Sequence, residues 1–339
     1  MKRAMHFLIT DRIVPSALFL FLLLGSLVGG EIQRLPRENL LVYRNGQGSV
    51  RTGSTIDHWK LRRTEILAGM QSVMGRLPGR EKQCALDVRV DEEVDCGTYV
   101  RRLISYQSEP GSRTPTYLCL PKEALAGRRK APAVLCLHPT DSKIGHKVVV
   151  GLGGRANRQY ARDLAERGFV TLAPAYPRLA NYWPDLKALG YESGTMKAVW
   201  DNVRGLDYLE PLPFVDTSRG FGVIGHSLGG HNAVYTAVFD PRIKVIVSSC
   251  GLDSYTDYYG GNEKRWFHGK GWCQDCYMPK LAKYRGRLRD IPFDFHEMIG
   301  ALAPRVCFIS APKGDGNFRW RSVDRIADAA APVFELFGQ

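Results

Sequence analysis

The sequence predicts an α/β fold in which a mostly parallel central sheet is flanked by helices. Two observations lead to this prediction. Five short, nearly continuous apolar segments alternate with helix-compatible segments after residue 130, and such strands are typical of parallel sheets buried on both faces. One of these segments also runs directly into a glycine-flanked serine that is followed by a helical pattern. We expect functional residues at the carboxyl ends of the strands.

The composition is that of a globular protein. The chain has 339 residues, 44% of them apolar and 24% charged, which suffices for a large core. Its formal net charge is +13, but the positive residues are dispersed, so the charge indicates a basic surface and not nucleic-acid binding. Cys273 and Cys276 form an isolated CxxC pair. A local disulfide or two free thiols are favoured there over a metal site, and no metal or organic cofactor is expected.

Residues 1–30 have the pattern of a cleaved signal peptide. Lys2 and Arg3 precede an apolar run from Ala17 to Val28, and small residues follow it. The run is short for a bilayer span. We therefore expect a secreted or periplasmic protein with no stable membrane partner, and a retained membrane anchor is the lesser alternative.

Residues 31–80 are interpreted as a lead segment with one helix. The segment is polar and irregular up to residue 57, and apolar residues recur at helical spacing from His58 until Leu77-Pro78-Gly79 stops the pattern. Residues 81–339 are interpreted as the main domain.

The main domain begins with alternating segments that predict antiparallel strands at 86–94 and 98–107, with a further strand at 116–121. The pattern then changes to buried strands and helices. Strands are predicted at 131–138, 169–177, 221–227, 243–250 and 305–312, and helices at 157–167, 195–209, 231–239 and 323–337.

The segment Gly225-His226-Ser227-Leu228-Gly229 has the G-x-S-x-G pattern of a nucleophile elbow. In such an elbow, a tight turn between a strand and a helix raises the serine hydroxyl above the sheet, and the flanking glycines let the backbone pass. The strand before the motif and the helical pattern after it fit this context. Ser227 is therefore the candidate nucleophile.

Two backbone amides are expected to form an oxyanion hole. One is Leu228, which follows the nucleophile, and the other lies after the strand that ends at His138. Proline has no N–H group, so Thr140 is a better donor than Pro139. We expect His138 to support this loop through hydrogen bonds.

The catalytic acid is expected after a later strand. Asp315 lies in a glycine-flanked turn directly beyond the strand at 305–312 and is the favoured candidate, and Asp253 is the competitor. Either aspartate could instead cap the next helix or turn.

Several segments together resemble one branch of a known superfamily. LHPT, GFVTLAPAYP, YESGTMKAVWDNVRGLDYL, IGHSLGGHNAVYTAVFD and ALAPRVCFISAPKGDGNF are similar to the dienelactone-hydrolase and acetyl-xylan-esterase-like branch of the α/β-hydrolases, which borders on prolyl oligopeptidase catalytic domains. The resemblance extends from about His58 to the end of the sequence. It implies a serine hydrolase that cleaves carboxylic esters, with acetylated carbohydrate as a candidate substrate, or a peptidase of the prolyl oligopeptidase type. In this family the acid orients a histidine near the end of the domain.

The sequence departs from the family pattern because no histidine follows His296. The last strand, the histidine-bearing loop and the closing helix are expected to be missing, so the domain is interpreted as incomplete at its carboxyl end and its activity as doubtful. His226 precedes Ser227 directly, and the sharp turn should direct its ring elsewhere, so it is assigned a supporting role. A catalytically impaired, secreted binding protein on a hydrolase fold is therefore an alternative.

Two further patterns leave alternatives open. Gly151, Gly153 and Ala156 have the spacing of a dinucleotide fingerprint, but the next strand ends without the acidic ribose ligand, so an NAD-dependent oxidoreductase is a remote alternative. Two groups of aromatic residues either line a substrate pocket or pack as a cap; they are Tyr176, Tyr182, Trp183 and Tyr191, and the segment from Tyr255 to Trp272.

Overall fold

The computed structural model describes residues 34–339. The predicted signal peptide lies outside the described residues. Within residues 34–339, no helix has the length and apolarity that a membrane span requires.

The described residues form eleven strands and seven α-helices, joined in places by short 3-10 turns. The strands are β1 (Val42–Arg44), β2 (Val50–Thr52), β3 (Arg89–Asp95), β4 (Tyr99–Glu109), β5 (Ser112–Pro121), β6 (Ala131–Leu137), β7 (Val170–Pro174), β8 (Val215–Asp216), β9 (Phe221–His226), β10 (Ile243–Ser249) and β11 (Val306–Ser310). The helices are α1 (Ile56–Met74), α2 (Lys122–Leu125), α3 (Tyr160–Glu166), α4 (Gly194–Leu209), α5 (Leu228–Phe239), α6 (Phe295–Gly300) and α7 (Trp320–Leu336).

The main sheet has the strand order β11-β10-β9-β6-β7-β5-β4-β3, and β8 pairs with the start of β6. The strands from β7 to β11 along this order are parallel, whereas β3, β4 and β5 form an antiparallel meander that joins β7. The predicted mostly parallel α/β sheet is therefore confirmed. Because the central strands are parallel, the loops after β6, β9, β10 and β11 meet at one edge of the sheet.

Residues 34–80 pack into the same core as the rest of the described chain. Trp59, Ile66 and Met70 of α1 are buried in the main hydrophobic cluster, and Arg62 of α1 donates a 2.8 Å hydrogen bond to Glu297 of α6. The short antiparallel hairpin formed by β1 and β2 was not predicted, because two three-residue strands carry too few alternating residues to produce a periodic pattern.

One face of the sheet is exposed at its β11 edge. Val306 and Phe308 of β11 are 63% and 61% exposed, and Val245 of β10, which is paired with Val306, is 44% exposed. The expectation that all five late strands are buried on both faces is thus wrong for β10 and β11. Cys307 and Ile309 on the opposite face pack in the same cluster as Ile326 of α7. That the domain lacks a last strand and helix stays a prediction.

The cysteines are free thiols. All eight belong to the described residues and none forms a disulfide. Of the two alternatives for Cys273 and Cys276, the structure shows two free thiols and not a local disulfide. Burial raises the pKa of Cys273 to about 12 and that of Cys276 to about 11, so both remain protonated near neutral pH.

Candidate active site

Ser227 occupies a strained turn between β9 and α5. Strand β9 ends at His226, helix α5 begins at Leu228, and Ser227 between them has φ +54° and ψ −117°. A positive φ is unfavourable for any residue with a Cβ atom and persists only where the surroundings impose it. This is the backbone conformation expected of a nucleophile elbow. The Ser227 side chain is half-buried, and among residues 34–339 no side chain is hydrogen-bonded to its hydroxyl.

The glycines of the elbow are required by close backbone contacts. A Cβ atom at Gly225 would lie 2.1 Å from the carbonyl oxygen of Gly229, and a Cβ atom at Gly229 would lie 1.8 Å from the carbonyl oxygen of Leu137. Leu137 is the last residue of β6. The elbow therefore lies directly against the start of the loop that is predicted to complete the oxyanion hole.

The two predicted oxyanion donors lie at the same edge of the sheet. Leu228 is the first residue of α5, and the first amides of a helix have no partner within the helix, so they point towards developing negative charge. Thr140 follows the end of β6 and is exposed, and its hydroxyl is hydrogen-bonded to Tyr277 at 2.8 Å. That bond fixes the Thr140 side chain and leaves its backbone N–H as the candidate donor.

His138 is hydrogen-bonded on both sides of its ring. Its Nε2 accepts a 3.0 Å bond from the Tyr176 amide, and its Nδ1 donates to the Pro139 carbonyl at 2.7 Å. Burial lowers the pKa of His138 to about 4, so the ring is neutral near neutral pH. The Nε2 bond joins the loop after β6 to the loop after β7, and the Nδ1 bond lies within the loop after β6, an arrangement that fits the predicted supporting role.

Asp315 follows β11 and lies close to the elbow. Its Oδ1 accepts backbone hydrogen bonds from Asn317 at 2.8 Å and Phe318 at 3.3 Å, so Asp315 does cap a turn. Its negative charge also reaches the neighbours of Ser227, since it opposes the lowering of the His226 pKa and contributes, after burial, to a raised Cys250 pKa. The position predicted from the sequence therefore places a carboxylate beside the elbow.

The competing acid, Asp253, lies in a different environment. Its side chain is fully buried, and burial raises its pKa to about 6, partly opposed by contacts with Ser322 and the Arg319 backbone at the start of α7. This is a carboxylate against a helix end in the core.

None of the described histidines supplies a base to Ser227. The His226 ring is hydrogen-bonded to the Ser249 hydroxyl at 3.2 Å, and burial, with the nearby Arg158 charge, lowers its pKa to about 4. His231 packs edge-on against Trp272 at 4.5 Å between ring centroids. His296 donates from Nε2 to the Arg37 carbonyl at 2.8 Å. Within residues 34–339, no imidazole is hydrogen-bonded to the Ser227 hydroxyl.

Sequence reasoning missed two groups of residues beside the elbow. Ser249 is the last residue of β10 and Cys250, with φ +49°, follows it. In the sequence both residues have the pattern of the end of a buried strand. Arg155 and Arg158 act electrostatically on His226, and no carboxylate among the described residues pairs with either. The glycine-rich segment around these two arginines is the feature of the sequence that could have indicated them.

That glycine-rich segment is a loop and not a dinucleotide motif. Strand β6 ends at Leu137, residues 138–150 intervene, and Gly151 and Gly153 lie in an exposed loop before α3. A dinucleotide fingerprint needs its glycines directly after a strand. The apolar residues before Gly151 form a 3-10 turn, so the structure does not support the NAD-dependent alternative. Among residues 34–339, no cluster of side chains has the composition of a metal site.

Comparisons with known proteins agree with this geometry. A model of the family "Glucuronyl esterase, fungi" matches residues 182–338. A glucuronoyl esterase structure from Solibacter usitatus superposes with a TM-score of 0.72 at 22% identity, covering 91% of this chain and 88% of that one. The chain has an α/β-hydrolase fold and is similar to carboxylic ester hydrolases. This bears out the predicted fold and the resemblance to ester-cleaving hydrolases.

Two further matches of this α/β-hydrolase show the breadth of the similarity. YtaP of Bacillus subtilis, which is named as a hydrolase, is 26% identical over 250 residues, covering 69% of this chain and 75% of its own. A Bacteroides fragilis protein described as a candidate acetyl xylan esterase superposes with a TM-score of 0.58 at 16% identity, covering 84% of this chain and 74% of that one.

Proposed function

We propose that this protein is a serine hydrolase that cleaves carboxylic esters carried by carbohydrates, with esters of glucuronic acid as the first candidate substrates. The observation that carries the proposal is the strained, half-buried Ser227 at the junction of β9 and α5. A strained turn of this kind holds a hydroxyl at the edge of the sheet before any substrate binds.

In the proposed reaction, the Ser227 oxygen attacks the ester carbonyl and the Leu228 and Thr140 amides bind the resulting oxyanion. Collapse of this intermediate releases the alcohol with the serine proton and leaves an acyl-enzyme, which water then hydrolyses to the acid. Asp315 is proposed as the carboxylate of this site, although none of the imidazoles among residues 34–339 is hydrogen-bonded to it. Because no imidazole is hydrogen-bonded to Ser227 among residues 34–339, we expect Ser227-dependent turnover that is far slower than that of a complete Ser-His-acid triad.

The proposed substrate class rests on the similarities and on local charge. The matching family model and the Solibacter usitatus structure are named for glucuronoyl esterases. Arg155 and Arg158, which form no ion pair with any of residues 34–339, lie near enough to His226 to lower its pKa. A positive field beside the elbow raises the local concentration of acidic carbohydrate.

A panel of esters tests this function. Purified wild-type protein and Ser227→Ala are incubated with benzyl glucuronate, acetylated xylan, phenyl acetate and a prolyl p-nitroanilide, and the products are quantified. We expect benzyl glucuronate cleavage that disappears in Ser227→Ala, and no anilide cleavage. Equal product release by both proteins on every ester would overturn the proposal. Anilide cleavage that depends on Ser227 would instead support the peptidase alternative.

A catalytically impaired binding protein is the second candidate function. The observation that favours it is the missing hydrogen bond between an imidazole and Ser227 among residues 34–339. Binding of glucuronoxylan without Ser227-dependent turnover of any ester would support it over the esterase.

We further propose that residues 1–30 are a signal peptide and that the mature protein is secreted or periplasmic. Amino-terminal sequencing of the exported protein tests this, with a start near residue 31 expected and a start at Met1 contradicting it.

A further inference from the structure

Trp183 stands apart from the other aromatic residues of the loop after β7. Tyr176, Tyr182 and Tyr191 are buried, whereas Trp183 is 63% exposed. Its indole N–H donates a 2.7 Å hydrogen bond to the Ala180 carbonyl, and the Arg178 guanidinium lies 5.5 Å from the ring centroid. The polar atom of the ring is therefore satisfied within the loop, and an apolar ring surface remains in solvent.

The loop that presents Trp183, residues 175–183, is held rigidly. Arg178 and Ala180 have φ values of +63° and +48°, which residues with a Cβ atom adopt only when the structure imposes them. The Arg178 amide donates to the Tyr182 carbonyl at 2.7 Å, and the Tyr182 hydroxyl donates to Asp201 at 2.9 Å. Such local strain is concentrated at ligand-binding segments.

The base of this loop is a buried ionic cluster. Asp201 accepts a hydrogen bond from Lys197, and Lys197 is also paired with Glu109 at 3.0 Å. All three side chains are almost completely buried. The opposite charges neutralise one another, and the Tyr182 hydroxyl donates to Asp201, so the cluster holds the loop in one conformation.

The Trp183 loop lies beside the candidate active site. It starts at the carboxyl end of β7, and β7 is paired with β6. A Cβ atom at Gly145, in the segment after β6, would lie 2.8 Å from the Ala180 Cβ. Leu179 of the loop shares a small apolar cluster with Leu228 of the elbow. Trp183 and Ser227 are thus carried by neighbouring loops at one edge of the sheet.

We propose that Trp183 is a sugar-binding platform, on which a pyranose ring of the substrate stacks while its ester lies at Ser227. Pyranose rings have an apolar face of C–H groups that packs against an aromatic ring, and a pre-ordered ring loses little conformational entropy on binding. Arg178 covers part of the indole from within the loop, and the exposed surface is left for the sugar. This inference rests on the proposed carbohydrate esterase function.

The test compares full-length Trp183→Ala, Trp183→Phe and the control Leu61→Ala, which removes an exposed apolar side chain from α1 (46% exposed). Binding of xylohexaose is measured by isothermal titration, and hydrolysis of phenyl acetate and of benzyl glucuronate extended by a xylo-oligosaccharide is followed separately. For Trp183→Ala we expect about a ten-fold loss of xylohexaose affinity and a raised KM only for the extended ester. Trp183→Phe should keep most of the affinity, and Leu61→Ala all of it.

The proposed role of Trp183 would be overturned if Trp183→Ala bound xylohexaose as the wild type does. It would also be overturned if the KM for phenyl acetate rose as much as the KM for the extended ester. A failure of the proposed function would give a different result. Ester cleavage would then be the same in the wild-type protein and in Ser227→Ala, while Trp183→Ala would still weaken sugar binding.

Discussion

Gly229 of the elbow and Leu137 of β6 are in direct backbone contact, since a Cβ atom at position 229 would lie 1.8 Å from the Leu137 carbonyl oxygen. The contact joins the turn that carries the candidate nucleophile to the loop that carries Thr140. Because the obstructing atom belongs to the backbone of a central strand, it cannot move aside without disturbing the sheet.

Gly229→Ala should therefore destabilise the protein by about 3 kcal/mol or more. Gly46→Ala is the control, because a Cβ atom there would meet nothing within 4 Å, and it should change the stability by less than ~0.5 kcal/mol. The free energy of unfolding is measured by urea titration. Similar midpoints for the two variants would show that the contact is not tight.

Ser227→Gly should raise the stability while removing the nucleophile. The φ of +54° at Ser227 is costly for a residue with a Cβ atom and ordinary for glycine, so relief of strain should outweigh the entropy of glycine by about 1 kcal/mol. Ser227→Ala keeps the Cβ atom and should show no such gain. Calorimetry of both variants decides the matter, and equal melting temperatures would argue against strain at this residue.

Asp253 should make the stability depend on pH. Burial raises its pKa in the folded protein from 3.8 to about 6, so the folded state holds this proton more tightly than the unfolded state. Its contribution is most favourable below pH ~4 and declines by up to ~3 kcal/mol as the pH rises through about 6. Asp253→Asn lacks this decline, so the variant should gain stability relative to wild type between pH 4.5 and pH 7. Urea unfolding at several pH values measures the gain, and a difference that stays constant with pH would refute it.

The exposed face of β11 should contribute to self-association and not to stability. Phe308 is 61% exposed, whereas Ile246 in the neighbouring strand is fully buried. Phe308→Ser should change the free energy of unfolding by less than ~1 kcal/mol and reduce association in sedimentation experiments. Ile246→Ala should cost about 2–5 kcal/mol. A large loss of stability in Phe308→Ser would mean that this face is covered in solution.

The sequence was sufficient to predict the sheet, the late helices and the elbow, because each depends on local pattern. Strand β9, Ser227 and helix α5 are contiguous, so the apolar run, the turn glycines and the helix-compatible pattern all occur in one segment. The buried position of Asp253 and the exposed face of β11 depend on which helices cover which strands. Trp183 and Arg158 lie in loops whose direction is set by distant contacts, and their accessibility therefore appeared only in three dimensions.

The most direct test of the central claim, that Ser227 is a nucleophile poised above the sheet, is covalent labelling with an uncharged alkyl fluorophosphonate followed by mass spectrometry. We expect a single adduct that peptide mapping assigns to Ser227, formed slowly because no imidazole among residues 34–339 is hydrogen-bonded to this serine, and none in Ser227→Ala. A folded wild-type protein that remains unlabelled, or is labelled at another residue, would contradict the claim.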